Sequence, residues 1–368
     1  MLRKKKILLS GGGTAGSVSP LLAIADEIKG RTSDAGHQPA DQSSSEFNFL
    51  WIGTRNGIEK GMVEKENILF KAIFAGKFRR YFSWKNFTDI LLFKLGFWQA
   101  FFIMLKWRPD LVISAGGFVS VPVVWAAWFL RVPCLIHQQD VRPGLANKLM
   151  APFAKIITVT FKKSLNDYGK KAIWIGNPVR KRIAASPSIN FFQLKDGLPT
   201  ILIVGGGTGA MFINRLVAES INDLLKFSQV IHVTGKNKST LKPETHPNYH
   251  SFEFLNVDQF SEAMQKSDLV VTRAGLSTLT ELSYLGKPII IIPIPGSHQE
   301  ENAEIYKAYN AAVVLDQNTL TKDSFLKTIE SILSDPAKIS ALKNNISRLL
   351  KPRASQEMSK IISKLTEK

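Results

Sequence analysis

Two glycine-rich turns stand out, Gly11-Gly12-Gly13-Thr14-Ala15-Gly16 and Gly205-Gly206-Gly207-Thr208-Gly209-Ala210. Each follows a short aliphatic run and precedes a helical stretch. Glycine lets the backbone take positive φ and admits a ligand close to it. The helix behind it offers free N–H groups and the positive end of its dipole, which suits phosphate. Both turns fit the dinucleotide pattern, a weak signal when taken singly. A dehydrogenase also needs an Asp or Glu at the end of the second strand to hold a ribose hydroxyl. Here those strands end at Gly53-Thr54 and Thr234-Gly235. No Gly-Lys-Ser/Thr follows either turn, so the ATPase P-loop is missing too. Phosphate contact survives, while nicotinamide and ATPase chemistry lose ground.

Five further polar clusters sit where strands end. They are Ser114-Ala115-Gly116-Gly117, His137-Gln138-Gln139-Asp140, Gly176-Asn177-Pro178-Val179-Arg180, Thr272–Glu281 and Pro293–Asn302. The strands are predicted from aliphatic runs: Lys6–Ser10, Phe49–Gly53, Leu111–Ser114, Cys134–His137, Ile156–Val159 and Ala172–Ile175 in the first half. The second half gives Thr200–Val204, Gln229–Val233, His250–Phe254, Leu269–Thr272, Ile289–Ile292 and Ala312–Leu315. Such runs are apolar on both faces, as in parallel sheets, and their alternation with helices gives an α/β class. The two glycine turns echo each other, which implies two Rossmann-like units facing across a cleft. The punctuation at Asn177-Pro178 and Ser186-Pro187 sets the expected domains at 1–181 and 182–350, with a basic helix at 351–368 whose expected packing partner is the first domain. No Asp-x-Asp occurs, so neither a metal-bridged diphosphate nor any tightly bound metal or cofactor is expected.

The net charge of +18 is lopsided, with +14 in residues 1–180 and +4 in the rest. An anionic partner for the first half follows. Residues 77–108 carry seven bases against Asp89 alone, interleaved with aromatics. Apolar residues from Ile90 to Leu105 fall on more than one helical face, more than a core contact needs. Bases and aromatics together suit anionic lipid, so Arg79, Arg80, Phe82, Trp84 and Trp98 are expected to face a membrane. Nucleic acid is not expected, because no nucleic-acid motif occurs. The apolar run after Lys6 stops at Ser10, too short for a signal peptide. Leu111–Leu130 carries no charge over twenty residues, yet Gly116-Gly117 and Pro122 divide it into strand, loop and buried helix. The single cysteine, Cys134, cannot pair within the chain and fits a reducing compartment.

Taken together and in order, GGGTAGSVSP (11–20), SAGGFVSVP (114–122), HQQD…GLANK (137–148), GNPVR (176–180), GGGTGAMFIN (205–214), TRAGLSTLTE (272–281) and HQEENA (298–303) span almost the whole chain. In these motifs the chain resembles the MurG-type N-acetylglucosaminyltransferases of peptidoglycan synthesis, which have the GT-B fold. The resemblance implies inverting transfer of N-acetylglucosamine from UDP-N-acetylglucosamine to undecaprenyl-linked lipid I at the cytoplasmic face of the cell membrane, with other cell-wall proteins as further partners. It places donor contacts on Arg180, Gly207, Thr208, Gln299 and the segment Leu276, Ser277, Thr278, Leu279, Thr280 and Glu281, with Glu281 on the ribose. A backbone contact to uracil falls near Val257, and sugar-side contacts fall on Thr14, Ala15, Gly16 and Asp140. A related lipid-directed glycosyltransferase, such as a diacylglycerol glucosyltransferase, and an inactive nucleotide-sugar-binding protein are the alternatives.

The chain departs from the family at the base. The family's histidine after the first glycine turn is Ser17 here, and its His-Glu-Gln-Asn reads His137-Gln138-Gln139-Asp140. A serine hydroxyl does not act as a base near neutral pH without activation. The base is therefore assigned to Asp140 first and His137 second, and Arg180 with the second glycine turn supplies positive potential for departing UDP.

Overall fold

Runs such as Ile7-Leu8-Leu9 and Leu111-Val112-Ile113 have no polar face to turn to water, so both faces must be covered. The chain solves this with two parallel sheets flanked by helices. The computed structural model describes residues 3–14, 16–30, 46–76, 85–184, 190–206, 210–239 and 246–367.

The first sheet holds β1 (Lys5–Ser10), β2 (Phe47–Thr54), β3 (Leu69–Ile73), β4 (Leu111–Ser114), β5 (Cys134–Gln138), β6 (Ile156–Val159) and β7 (Ala172–Trp174). Their order is β3-β2-β1-β4-β5-β6-β7, every described pair parallel. Helices α1 (Ser19–Gly30), α2 (Ile58–Glu64), α3 (Lys85–Trp107), α4 (Ser120–Phe129) and α5 (Leu145–Met150) connect them. One core layer packs Leu8, Val112 and Ile136 against Val123 and Ala127 of α4 and Ala100 and Met104 of α3. The other packs Ile7, Leu9 and Ile113 against Leu21, Ile24 and Ile28 of α1. β3 is absent from the strands predicted above. It is the edge strand, with Leu69 and Lys71 exposed, and lacks the continuous aliphatic run of its neighbours.

The second sheet holds β8 (Thr200–Val204), β9 (Gln229–Val233), β10 (Tyr249–Phe252), β11 (Leu269–Thr272), β12 (Ile289–Ile291) and β13 (Val313–Val314), in the order β10-β9-β8-β11-β12-β13. Its helices are α6 (Met211–Leu224), α7 (Val257–Lys266), α8 (Leu276–Leu285), α9 (His298–Ala308), α10 (Lys322–Leu333) and α11 (Pro336–Leu349). Caps fix several starts: Asn256 and Gln259 form a capping box on α7, and Thr321 and Ser324 form one on α10.

The chain divides into two units, one running to Lys181 and resuming at Lys351, the other spanning Arg182–Leu350. The last helix, α12 (Ala354–Thr366), lies in the first unit, where Met358 and Ile362 join the core under α1. Gly176, at φ +87, permits this return: a Cβ there would stand 2.5 Å from the Lys351 carbonyl oxygen.

Candidate functional site

In each sheet the chain starts in the middle, runs to one side, then crosses to the other. The strands flanking that reversal are β1 and β4 in the first unit and β8 and β11 in the second. The crevice beyond their carboxyl ends is where open α/β sheets take ligands. Both glycine turns emerge there, one after β1 and one after β8.

In the first unit this crevice is filled with the protein's own groups. Ser17 Oγ donates to the Gly12 carbonyl (3.0 Å) and the Thr14 carbonyl (3.2 Å), so the residue in the family histidine's place braces the turn. The Gly13 amide donates to Glu59 Oε2 at 3.2 Å. Glu59 is wholly buried, and its other oxygen accepts from the Thr54 amide (2.8 Å) and hydroxyl (2.5 Å). The turn after β4 closes in from the far side. Gly117 takes φ +89, and a Cβ on it would lie 2.4 Å from the Gly12 carbonyl oxygen. Thr14 is exposed and Gly16 half-buried at the rim, while Ala15 lies outside the described residues.

The tetrad after β5 divides its labour. His137 is fully buried, with Nδ1 3.0 Å from Thr158 Oγ1 and Nε2 2.8 Å from Asn177 Oδ1. Burial presses its pKa down to about 4, against a smaller upward pull from those hydrogen bonds. His137 is therefore neutral near pH 7, with both ring nitrogens engaged inside the first unit. Gln138 donates to the carbonyls of Asp140 (2.8 Å) and Arg142 (3.0 Å), and accepts from Asn147 (2.5 Å) and Tyr168 (3.0 Å). Gln139 donates to the Gly16 carbonyl at 2.6 Å and ties this loop to the glycine turn. Of the four only Asp140 is not buried, and the Gln139 bond sets its loop beside the first turn.

Arg180 lies inside the first unit. The residue is 5% exposed, with Nη1 3.1 Å from Glu66 and Nε 3.9 Å from Asp26. Two carboxylates of its own unit compensate its charge.

The second unit's crevice has the opposite character. Helix α6 opens with Ala210, in extended conformation with no side-chain cap hydrogen bond. Helix α8 opens likewise on Gly275. Within α8, Leu276, Leu279 and Thr280 are buried, which restricts their part in any ligand contact to the backbone. Ser277, Thr278 and Glu281 share the outward stripe. Gln299, in the first turn of α9, accepts from the Ile294 amide at 3.2 Å. Val257 is 40% exposed at the start of α7. Gly207 and Thr208 lie outside the described residues.

Sequence reasoning missed Arg273, which directly follows β11. Its Nη1 donates to the carbonyls of Ile292 (2.8 Å) and Pro293 (3.0 Å) and its Nη2 to Gln317 Oε1 (2.7 Å), while the guanidinium carbon stands 6.0 Å from the Phe212 ring of α6. A base placed directly after a buried strand was the available signal. Glu59 gave none, since a Glu in an ordinary polar stretch has no mark of burial.

On α3, Phe93, Phe97, Ala100 and Met104 turn inward. The opposite stripe leaves Leu91 (59%), Trp98 (54%) and Phe102 (61%) in the open, and Trp128 and Phe129 at the end of α4 extend it. Phe101 stacks edge-on to Phe129 at 5.8 Å, which joins the two helices in one apolar surface. Helix α3 is long and apolar enough to cross a membrane by length and composition, but its inward stripe belongs to the core. Arg79, Arg80, Phe82 and Trp84, also expected to face a membrane, lie outside the described residues.

These two parallel α/β units define a two-domain GT-B glycosyltransferase. Residues 7–159 match the glycosyltransferase family 28 N-terminal domain, and residues 200–364 match the C-terminal domain of that family. The UDP-N-acetylglucosamine–N-acetylmuramyl-(pentapeptide) pyrophosphoryl-undecaprenol N-acetylglucosamine transferases of Clostridium botulinum (strain Langeland) and Clostridium kluyveri are each 34% identical to this chain. They cover 99% of it, and 100% and 99% of their own lengths. The chain belongs to this MurG family of transferases. Solved structures agree on the fold: MurG of Acinetobacter baumannii has a TM-score of 0.71 at 22% identity, covering 98% of this chain and 99% of its own. UDP-GlcNAc 2-epimerase from Neisseria meningitidis, bound to UDP-GlcNAc, scores 0.69 at 14%, covering 98% of this chain and all of its own.

Proposed function

We propose that this chain transfers N-acetylglucosamine from UDP-N-acetylglucosamine to the muramyl sugar of undecaprenyl-pyrophosphoryl-muramoyl-pentapeptide, with inversion, forming lipid II. The observation that carries the reading is the end-to-end relationship to transferases named for that reaction. In the step itself, the acceptor hydroxyl oxygen bonds to the anomeric carbon. The bond from that carbon to the diphosphate oxygen breaks, and its electron pair leaves with UDP. Asp140 takes the hydroxyl proton, a role supported by its half-open position beside the first glycine turn. The uncapped start of α6 faces the charge that develops on the leaving diphosphate. Ser277, Thr278 and Glu281 on one stripe of α8, with Gln299, hold the nucleoside and sugar of the donor.

The acceptor is held in a membrane, and the surface formed by Leu91, Trp98, Phe102, Trp128 and Phe129 suits the cytoplasmic leaflet. Lys94, Lys106, Arg108 and Arg131 flank it in sequence and suit anionic headgroups, each contributing about 1 kcal/mol near the surface. The reading is tested by radiolabelled transfer onto a lipid I analogue. UDP-N-acetylglucosamine is expected to support product and UDP-glucose is not. Transfer of glucose to diacylglycerol, with none to lipid I, would replace this reading with the other lipid-directed one. Flotation with anionic vesicles at low salt tests the membrane surface. Wild type is expected to float and the Trp98→Ser/Phe102→Ser variant to remain below, and a wild-type chain that stays wholly in the soluble fraction removes the membrane part.

A further inference from the structure

Irregular backbone leaves its carbonyls to find partners outside any ladder. The loop after β5 finds them in side chains. Gln138 donates to the carbonyls of Asp140 at 2.8 Å and Arg142 at 3.0 Å, and Ser164 Oγ donates to the Val141 carbonyl between them at 2.9 Å. Three successive carbonyls are thus held by side-chain donors, and Gln139 fastens the same loop to the Gly16 carbonyl. Asp140, half-buried, is the carboxylate that this loop carries.

The glutamine is fully committed. It is 2% exposed, and its two donors and two acceptor positions are all taken. A carbonyl only accepts, so the two carbonyls fix which end of the amide faces the loop. The Asn147 amide and the Tyr168 hydroxyl hold the other end. Burial, with a smaller push from Asp167, raises the Tyr168 phenol above its ordinary value and keeps it a donor. A glutamate, the family's residue at this place, offers only acceptors when ionised, so both loop bonds come with the glutamine. A base must stand within hydrogen-bond reach of the proton that it takes, and a displacement of about 1 Å can cost about 10²-fold in rate. An amide that fixes the carbonyl of Asp140 itself therefore bears on rate as well as on fold.

We propose that Gln138, helped by Ser164, is a positioning residue for the proton transfer: its amide pins the Asp140 and Arg142 carbonyls and so sets the Asp140 carboxylate beside the first glycine turn. The inference rests on the assignment of Asp140 as base given above. A structural role alone competes with it, in which these bonds only stabilise the loop. The two roles separate when the positioning is removed from a chain that has no carboxylate to position. Gln138→Glu takes away the two donors and keeps acceptors for Asn147 and Tyr168. Ser164→Ala takes away the third donor and adds no charge.

The experiment is steady-state transfer of radiolabelled sugar to a lipid I analogue by wild type, Gln138→Glu, Ser164→Ala and Asp140→Asn, and by Asp140→Asn carrying each of the other two changes. Thermal melts supply the folded fraction of each. Gln138→Glu is expected to lower kcat about 10- to 100-fold and Ser164→Ala about 3- to 10-fold, with the KM for UDP-N-acetylglucosamine at its wild-type value. On Asp140→Asn each change is expected to alter kcat less than about 2-fold, because what acts through Asp140 has nothing left to act through. A kcat for folded Gln138→Glu within about 2-fold of wild type overturns the inference. An equal fold loss with and without Asp140 overturns it too. If Gln138→Glu fails to fold, the same two readings of Ser164→Ala decide. Asp140→Asn at the wild-type rate overturns the assignment of the base, and this inference with it.

Discussion

The two units repeat one plan, and the crevices at their strand reversals have opposite electrical character. In the first, the Gly13 amide is taken by the buried carboxylate of Glu59, and the Gly12 and Gly117 backbones press together. An anion arriving there finds that amide already taken and little room. In the second, the N-cap of α6 makes no side-chain cap bond, and among the described residues Arg273 bonds to neutral acceptors. Near-identical glycine turns therefore do not imply near-identical ligands. What a turn takes depends on the charges that the neighbouring elements bring to its amides. The proposed function divides accordingly, with the acceptor hydroxyl and its proton at the first unit and the donor diphosphate at the second.

The largest effect follows if proton chemistry resides in the first unit alone. Asp140→Asn is expected to lower kcat about 10²- to 10⁴-fold while UDP affinity stays at the wild-type value. Steady-state transfer and UDP calorimetry measure the two quantities. Turnover close to wild type would move the base elsewhere and break the division between the units. The next effect concerns the buried arginine of the first unit. Arg180→Met removes the buried guanidinium that pairs with Glu66 and Asp26, so it should cost about 3–5 kcal/mol of stability. UDP binding by the folded fraction should not change. A denaturant titration beside UDP binding checks this, and a selective loss of UDP affinity would return Arg180 to the donor site.

The fold was legible because the strands of a parallel sheet announce themselves. Leu111–Ser114, Ile156–Val159, Thr200–Val204, Gln229–Val233 and Leu269–Thr272 are strands at the bounds predicted. β3 escaped because an edge strand with Lys71 exposed needs no aliphatic run. The polar clusters at strand ends were legible as a group, since position after a strand places them on one edge. The role of each member was not. His137 and Arg180 have the side chains of a base and an anion binder, and only the structure shows that both are buried and partnered within the first unit. The partner decisive for the first glycine turn, Glu59, comes from an element remote in sequence. Composition and spacing carry no record of that proximity.

In one respect the units are alike, and a small effect measures it. His137 on β5 and His232 on β9 are both buried. Each holds an asparagine oxygen, Asn177 at 2.8 Å and Asn214 at 3.1 Å. Burial lowers both pKa values to about 4. In the unfolded chain each returns to about 6.5. As pH falls through 6.5 the unfolded chain takes up a proton that the folded histidine refuses, so stability drops until the folded group titrates near 4. Above 6.5 this contribution is fully present. A gap of about 2.5 units corresponds to about 3 kcal/mol for each histidine. Urea midpoints between pH 7 and 4.5 should therefore fall in wild type, and fall less in His137→Gln and in His232→Gln. If the units unfold separately, each variant should flatten only the transition of its own unit. A variant whose midpoints run parallel to wild type would mean that its histidine is protonated in the folded chain, and the likeness between the units would end there.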